Sequence, residues 1–419
     1  MDSSLVGLET SPLMPTVTEA QDTERLIPTA PQAQDTEHLI STNKHIRDNN
    51  FAESVKETAL NKAVQNGHTN IVELLLGRGT LAEAMGKGND TSLHLAAQSG
   101  HTKRVELLLG EGAPVAAIGK GGHTPLHLAA QNGRTGVVAL LLRKGALIGA
   151  LNTYNNTPLH CAAWKGCTRT VRLLLEKGAS IEAVNINNNT PLHLAALYGH
   201  ADTTKLLLEK GASIKAMDKG SNTPLHYAVW KGCFRTVDLL LERGASIAAM
   251  DKDNNAPIHL AARRGHTSMV KLFLRKGALI KAMNTNNQTP LHYAAQNGHT
   301  DIVRLILEQG GLTEAMDKDN NTPLHFAALN GHSDVVGLLL EKGASTQAMN
   351  SDNDSPMHNA ARNGHSSTVE LLLEKHASTV AINKDNDTPM DLAVWNGHTD
   401  TVKLLISKGA KFVARKNRT

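Results

Sequence analysis

Apolar and polar residues follow a pattern that returns every 33 residues along most of the chain. In the copy at 289–310, TPLHYAAQNGHTDIVRLILEQG, a small apolar block is followed by glycine and a second apolar block. The apolar residues of the second block recur at three- and four-residue spacing, which places them on one face of a helix. Each copy therefore predicts two short helices. Eleven successive copies begin at Thr58, Thr91, Thr124, Thr157, Thr190, Thr223, Ala256, Thr289, Thr322, Ser355 and Thr388.

The boundaries of both helices follow from residues with defined roles at helix ends. Thr289 is suited to the N-cap and Pro290 to the first helical position, so the first helix is predicted from Pro290 to Asn297. Gly298 ends it, because glycine adopts the left-handed conformation that follows many helices. The second helix is predicted from Thr300 to Gln309. Its predicted inward-facing residues are Val303, Leu305, Ile306 and Leu307.

Two turn positions require positive φ. The second helix is closed by glycine in ten copies and by His376 in the remaining one, which predicts a slightly strained turn there. In the segment between repeats, asparagine stands where a hairpin turn favours glycine, and asparagine also enters the left-handed region. These residues are Asn155, Asn188, Asn254, Asn287, Asn320, Asn353 and Asn386.

The 33-residue period and the motif T-P-L-H-x-A-A, read as TPLHYAA from Thr289, resemble the ankyrin repeat. The resemblance implies an all-α fold: an ankyrin-repeat solenoid of stacked helix-turn-helix units with β-hairpin fingers. Together with the composition of residues 1–45, which include four prolines and no aromatic residue, it divides the chain into four parts. They are a disordered N-terminal tail at 1–45, an N-terminal capping segment at 46–57, eleven ankyrin repeats at 58–410 and a short basic C-terminal tail at 411–419. The implied function is a non-enzymatic scaffold or adaptor that binds partner proteins on the concave ankyrin groove.

Composition and charge limit the cellular locations and the classes of partner that the sequence favours. The apolar runs are too short for a membrane span, and the N-terminus lacks the pattern of a secretory signal. Three cysteines, Cys161, Cys167 and Cys233, are few and odd in number, which favours a reducing cytoplasmic or nuclear location over a disulfide-rich secreted one. Residues 58–419 carry a net charge of +10, because the chain total is +4 and residues 1–57 contribute −6. The bases are scattered rather than aligned, so nucleic acid is not expected as a partner.

Catalytic, cofactor and metal sites are not expected. The sequence contains no phosphate-binding loop, nucleophile elbow, kinase motifs or zinc-protease helix. Most of the 21 histidines recur at two repeat positions, so we expect them to join loops by hydrogen bonds. One set follows Thr-Pro-Leu or its equivalent, and the other follows the first turn glycine. No cysteine and histidine cluster has metal-ligand spacing.

Recognition is expected where the repeats differ, at the two residues before the first turn glycine. All three tryptophans occupy the first of these positions, and lysine or arginine stands nearby. Exposed aromatic residues beside arginine are typical of interface hot spots. The pattern predicts a site for an acidic segment with apolar anchors; alternatively, the Trp rings lie flat on neighbouring helices and only cover the core. The candidate residues are Trp164, Lys165, Tyr198, Trp230, Lys231, Arg263, Arg264 and Trp395.

The N-terminal 45 residues contain a repeated octapeptide, AQDTERLI at 20–27 and AQDTEHLI at 33–40. Each copy has an acid four residues before a Leu-Ile pair and resembles acidic dileucine sorting signals. One alternative function is therefore a membrane-trafficking accessory protein that uses these motifs. A second alternative, from the basic charge of the repeats, is a nuclear or chromatin-associated regulator. A simple tail duplication also explains the octapeptides. The sorting-motif candidates are Asp22, Leu26, Ile27, Asp35, Leu39 and Ile40.

Overall fold

Helices in the computed structural model follow the 33-residue period. The structure describes residues 55–78 and 89–410, and residues 55–66 are helical. The first helices of the later repeats are Ser92–Ser99, Pro125–Gln131, Pro158–Trp164, Pro191–Leu197, Pro224–Lys231, Pro257–Arg263, Pro290–Gln296, Pro323–Leu329, Pro356–Arg362 and Pro389–Trp395. The second helices are Thr69–Leu76, Thr102–Gly110, Thr135–Arg143, Thr168–Glu176, Ala201–Glu209, Phe234–Glu242, Thr267–Arg275, Thr300–Glu308, Ser333–Glu341, Ser366–Glu374 and Thr399–Ser407. A 3-10 helix spans Lys120–Gly122.

The chain divides into two compact units. Of the described residues, the first unit comprises 55–78, 89–162 and 176–179, and the second comprises 163–175 and 180–410. Within the first unit, the first helices Ser92–Ser99 and Pro125–Gln131 pack against each other. Within the second unit, successive first helices pack side by side from Pro191–Leu197 to Pro389–Trp395.

Each layer has a core of small and branched apolar residues. In the layer that begins at Thr289, Leu291, Ala294 and Ala295 of the first helix are buried. Ile302, Val303 and Ile306 of the second helix are buried beside them. Leu305 and Leu307 are only half-buried, so the predicted inward face of this helix is rotated slightly from the observed one.

Within each unit, motif histidines join successive layers. In the second unit, His226 Nδ1 accepts the backbone N–H of Thr223 at 3.1 Å, and its Nε2–H donates to the carbonyl of Asn255 at 3.2 Å. His325 repeats this arrangement with Thr322 and Asp354 at 3.1 Å each. The prediction that these histidines tie loops together is confirmed.

The segments between repeats, hereafter fingers, are closed by hydrogen-bonded turns. Asn254 donates its N–H to the carbonyl of Asp251 at 3.0 Å, and Asp251 donates to the carbonyl of Asn255 at 3.1 Å. The seven predicted asparagines all have positive φ, between 55° and 61°, and His376 has φ 61°. Apart from one bridge residue at Thr91, residues 55–78 and 89–410 contain no strand, so the fingers predicted as β-hairpins are present there as turns.

Candidate interaction surface

At several first helices, including Pro158–Trp164, a glycine turn and a histidine of the next repeat together fix the residues at the helix end. Gly166 follows Trp164 and Lys165 with φ 68°. A Cβ at Gly166 would lie 2.5 Å from Nδ1 of His200, so a larger residue does not fit there. His200 donates its Nε2–H to the carbonyl of Trp164 at 2.9 Å. The histidine of one repeat therefore holds the helix end of the preceding repeat, as the sequence predicts.

Trp164 and Tyr198 form a partly exposed aromatic pair. Their rings meet edge to face, with centroids 5.9 Å apart and an interplanar angle of 67°. Lys165 Nζ lies 4.3 Å from the centroid of the Trp164 ring. Tyr198 also stacks on His200 at 6.5 Å. Because Trp164 is half-buried and Tyr198 and Lys165 are exposed, this group offers both aromatic surface and a cation to a partner.

Trp230 differs from the expectation of an exposed ring, because only 8% of it is accessible. The guanidinium carbon of Arg264 lies 3.2 Å from the centroid of its ring. The Arg263 guanidinium carbon lies 5.8 Å from the same ring and 5.7 Å from the ring of Tyr293. The two arginines of the next repeat therefore cover the indole, and the surface at this point consists of half-buried guanidinium groups beside the exposed Lys231.

Two tyrosines on the first helices fasten the fingers to this side of the second unit. The Tyr227 hydroxyl donates to Oδ2 of Asp218 at 2.7 Å. The Tyr293 hydroxyl accepts from Nδ2 of Asn284 at 2.9 Å and donates to Oδ1 of Asn255 at 3.3 Å. Both tyrosines are buried.

Several buried histidines and one buried cysteine of the first helices are held in their neutral forms. Burial lowers the pKa of His193, His226 and His259 to about 4, although hydrogen bonds to backbone carbonyls oppose the shift. Burial raises the pKa of the Cys161 thiol to about 12. These groups support the fold, and the charge offered to a partner comes from lysine and arginine.

The comparisons with known proteins agree with this architecture. A family model of three ankyrin repeats matches residues 32–119, 93–185, 181–251, 258–350 and 345–416. A model of many ankyrin repeats matches residues 231–274. The chain belongs to the ankyrin-repeat family. No curated protein matches the chain. Ankyrin repeats generally mediate protein–protein interaction and are typically non-enzymatic.

The ankyrin stack separates the candidate residues into groups. Trp164, Lys165 and Tyr198 lie together, and Trp230 lies against both arginines. Trp395 is 51% exposed and ends the last described first helix. Three first helices separate it in the stacking order from the helix that ends at Arg263.

A column of exposed apolar residues on the ankyrin fingers was not singled out from the sequence. Each member directly precedes the Asp or Asn that opens a finger. Alignment of the repeats at that position would have found it, because five successive repeats have methionine there. The column in the second unit is Val184, Met217, Met250, Met283, Met316, Met349 and Ile382.

The described residues contain no group of three metal-ligating side chains that could hold an ion. No helix in the described part of the chain is long and apolar enough to cross a membrane. The sorting-motif candidates Asp22, Leu26, Ile27, Asp35, Leu39 and Ile40 lie outside the described residues.

Proposed function

We propose that this ankyrin-repeat protein is a non-enzymatic adaptor that binds an acidic protein segment with apolar anchors. The site is the surface at the carboxyl ends of the first helices, which the resemblance to ankyrin repeats assigns to the concave groove. The observation that carries the proposal is the partly exposed Trp164 and Tyr198 ring pair with Lys165 over it. Aromatic side chains contribute large contact area at low entropic cost, and they dominate many interfaces.

Charge at these helix ends selects the partner. The two residues before the first turn glycine include no aspartate or glutamate in any of the eleven repeats. The cations are Lys165, Lys231, Arg263, Arg264 and Arg362. Arg362 already forms an ion pair with Asp354 at 2.7 Å, whereas Lys165 and Lys231 are exposed. Complementary charge steers association and disfavours basic partners.

Selection from a random peptide library displayed on phage tests this function with the full chain. We expect enriched peptides to combine Asp or Glu with Leu, Ile or Phe. Two double variants probe the site: Trp164→Ala with Tyr198→Ala, and Lys165→Glu with Lys231→Glu. Each should weaken binding of the enriched peptides by roughly tenfold or more.

The matched control is Lys276→Glu with Lys342→Glu. It makes the same charge change at exposed residues that follow second helices. It should leave binding within about twofold, since charges away from an interface act weakly. Thermal melting by circular dichroism checks that each variant is folded. Equal peptide binding by wild type and both site variants would place the site elsewhere and refute the proposal.

A further inference from the structure

Five methionines in successive repeats form an exposed column, hereafter the methionine ladder. Each member is between 37% and 55% accessible. Val184 and Ile382 continue the apolar column at its two ends. The ladder consists of Met217, Met250, Met283, Met316 and Met349.

Backbone hydrogen bonds hold the fingers of the ladder next to one another. Lys252 donates its N–H to the carbonyl of Gly220 at 2.8 Å. The same link recurs from Thr285 to Asp253 at 2.8 Å and from Lys318 to Asn286 at 3.0 Å. The links join main-chain atoms, so the spacing of the fingers does not depend on the methionine side chains.

Three other methionines provide an internal contrast. Met269, Met357 and Met390 are at most 2% accessible and belong to the helical core of the same unit. The chain therefore holds thioethers in two environments. An oxidant from solvent reaches the ladder, whereas the core thioethers are covered. Susceptibility of thioethers to oxidation increases with exposure.

The ladder is connected to the proposed site. Asn284, the residue after Met283, donates to the Tyr293 hydroxyl at 2.9 Å. The Tyr293 ring in turn lies 5.7 Å from the Arg263 guanidinium carbon. The finger that carries Met283 is therefore hydrogen-bonded to a tyrosine whose ring also lies near a cation. A partner segment with both acidic and apolar residues fits such a surface.

We propose that the methionine ladder is a reversible oxidation site that controls partner binding. Its effect on the partner rests on the proposed function. A thioether sulfur attacks one oxygen of hydrogen peroxide, so a sulfur–oxygen bond forms and the oxygen–oxygen bond breaks. The sulfur loses two electrons, and the peroxide is reduced to water. The product sulfoxide is polar, so the ladder no longer provides apolar contact, and methionine sulfoxide reductases restore it.

The first test needs no partner. The full chain is treated with hydrogen peroxide under native conditions, and oxidation is followed by peptide mass spectrometry. The five ladder methionines should oxidise roughly tenfold or more faster than Met269, Met357 and Met390. Circular dichroism should show the folded helical signal while only the ladder is oxidised. Equal rates for the two groups, or loss of the helical signal with ladder oxidation, would overturn the proposal.

The second test measures binding of a fluorescein-labelled synthetic peptide of alternating glutamate and leucine. Ladder oxidation of the wild type should weaken binding by roughly tenfold, and reductase treatment should restore it. The control replaces the five ladder methionines by leucine, which keeps apolar volume and removes the sulfur. Its binding should not respond to peroxide.

The two proposals fail in different ways. If the oxidised wild type binds the peptide as tightly as before, or the leucine variant also loses binding on oxidation, the ladder does not act as a switch. The adaptor function would then still stand on the phage selection. If the untreated chain does not bind the peptide, both the partner chemistry and the switch that rests on it are refuted.

Discussion

Trp230 and Trp395 occupy the same position of two repeats but have different surroundings. Two arginines cover Trp230, whereas Trp395 is half exposed. Trp230→Ala should therefore lower the unfolding free energy by about 3–5 kcal/mol, because it leaves a cavity under Arg264. Trp395→Ala should cost about 1 kcal/mol or less, as surface changes do. Urea unfolding followed by circular dichroism gives both values, and equal losses would contradict the burial difference.

The turn after each second helix has glycine in the described residues except at His376, whose φ is 61°. His376→Gly should stabilise the chain by about 1 kcal/mol, because it removes the left-handed cost of a side chain. The reverse change, Gly343→His, is the matched control at φ 88°, where a Cβ meets no atom within 4 Å. It should destabilise by a similar amount, measured as a shift in melting temperature. A higher melting temperature for Gly343→His would show that strain is not the cause.

Single residues could be predicted from the sequence where the repeat fixes their backbone. The left-handed Asn254 and His376 are examples, because their positions demand positive φ whatever the neighbours are. Burial of Trp230 could not be predicted in this way. It depends on Arg263 and Arg264 in the next repeat. The repeat after Trp164 has Leu197 and Tyr198 at the same two positions, and Trp164 is half-buried.

At the scale of the helix, the motif histidines make stability depend on pH. Their rings are neutral in the fold, since Nδ1 accepts a backbone N–H and only Nε2 carries hydrogen. Burial is the largest cause of the lowered pKa values, which are about 4 against 6.5 in an unfolded chain. The residues are His127, His193, His226, His259, His325 and His358.

The sign of the pH effect follows from these lowered pKa values. Below pH 6.5 these histidines bind protons in the unfolded chain but stay neutral in the folded chain, so unfolding becomes more favourable. Stability should be highest above about pH 7 and should fall as the pH decreases from 6.5 toward 4. Melting temperatures measured across this range check it, and His325→Gln should show a smaller fall than the wild type. A melting temperature that is constant from pH 7 to pH 4.5 would contradict the mechanism.

Helix boundaries were well predicted, because Thr289, Pro290 and Gly298 mark them directly. The first helix is Pro290–Gln296 and the second is Thr300–Glu308, each one residue shorter than predicted. The buried face was less well predicted, since Ile302 is fully buried while Leu305 and Leu307 are not. A helix of nine residues with five aliphatic side chains has no unique apolar face until its neighbours are in place.

At the scale of the whole molecule, successive layers within each unit contact one another, so a local defect should stay local. Leu240 is fully buried in the helix Phe234–Glu242, and Leu240→Ala should cost about 2–5 kcal/mol. Hydrogen exchange should become faster in that helix and in Ala201–Glu209, which packs against it. Exchange in Pro125–Gln131 of the first unit should not change.

The reciprocal variant is the control for this experiment. Leu141 is fully buried in the helix Thr135–Arg143 of the first unit, so Leu141→Ala should give the opposite pattern. Faster exchange throughout both units in either variant would mean that the molecule opens as one cooperative body rather than layer by layer.

Main-chain N–H and carbonyl groups link neighbouring fingers, as from Ser351 to Asp319 and from Lys384 to Asp352. Asparagine side chains add to these links, as from Nδ2 of Asn383 to Oδ1 of Asp354 at 2.9 Å. A copy of the unit that keeps the motif histidine, the turn glycine and the polar finger residues can therefore follow any other copy that keeps them. A gene of this kind can gain or lose one 33-residue segment by unequal recombination, and the new junction needs no compensating mutation. The length of the array and the identity of its binding residues can thus diverge independently between descendants.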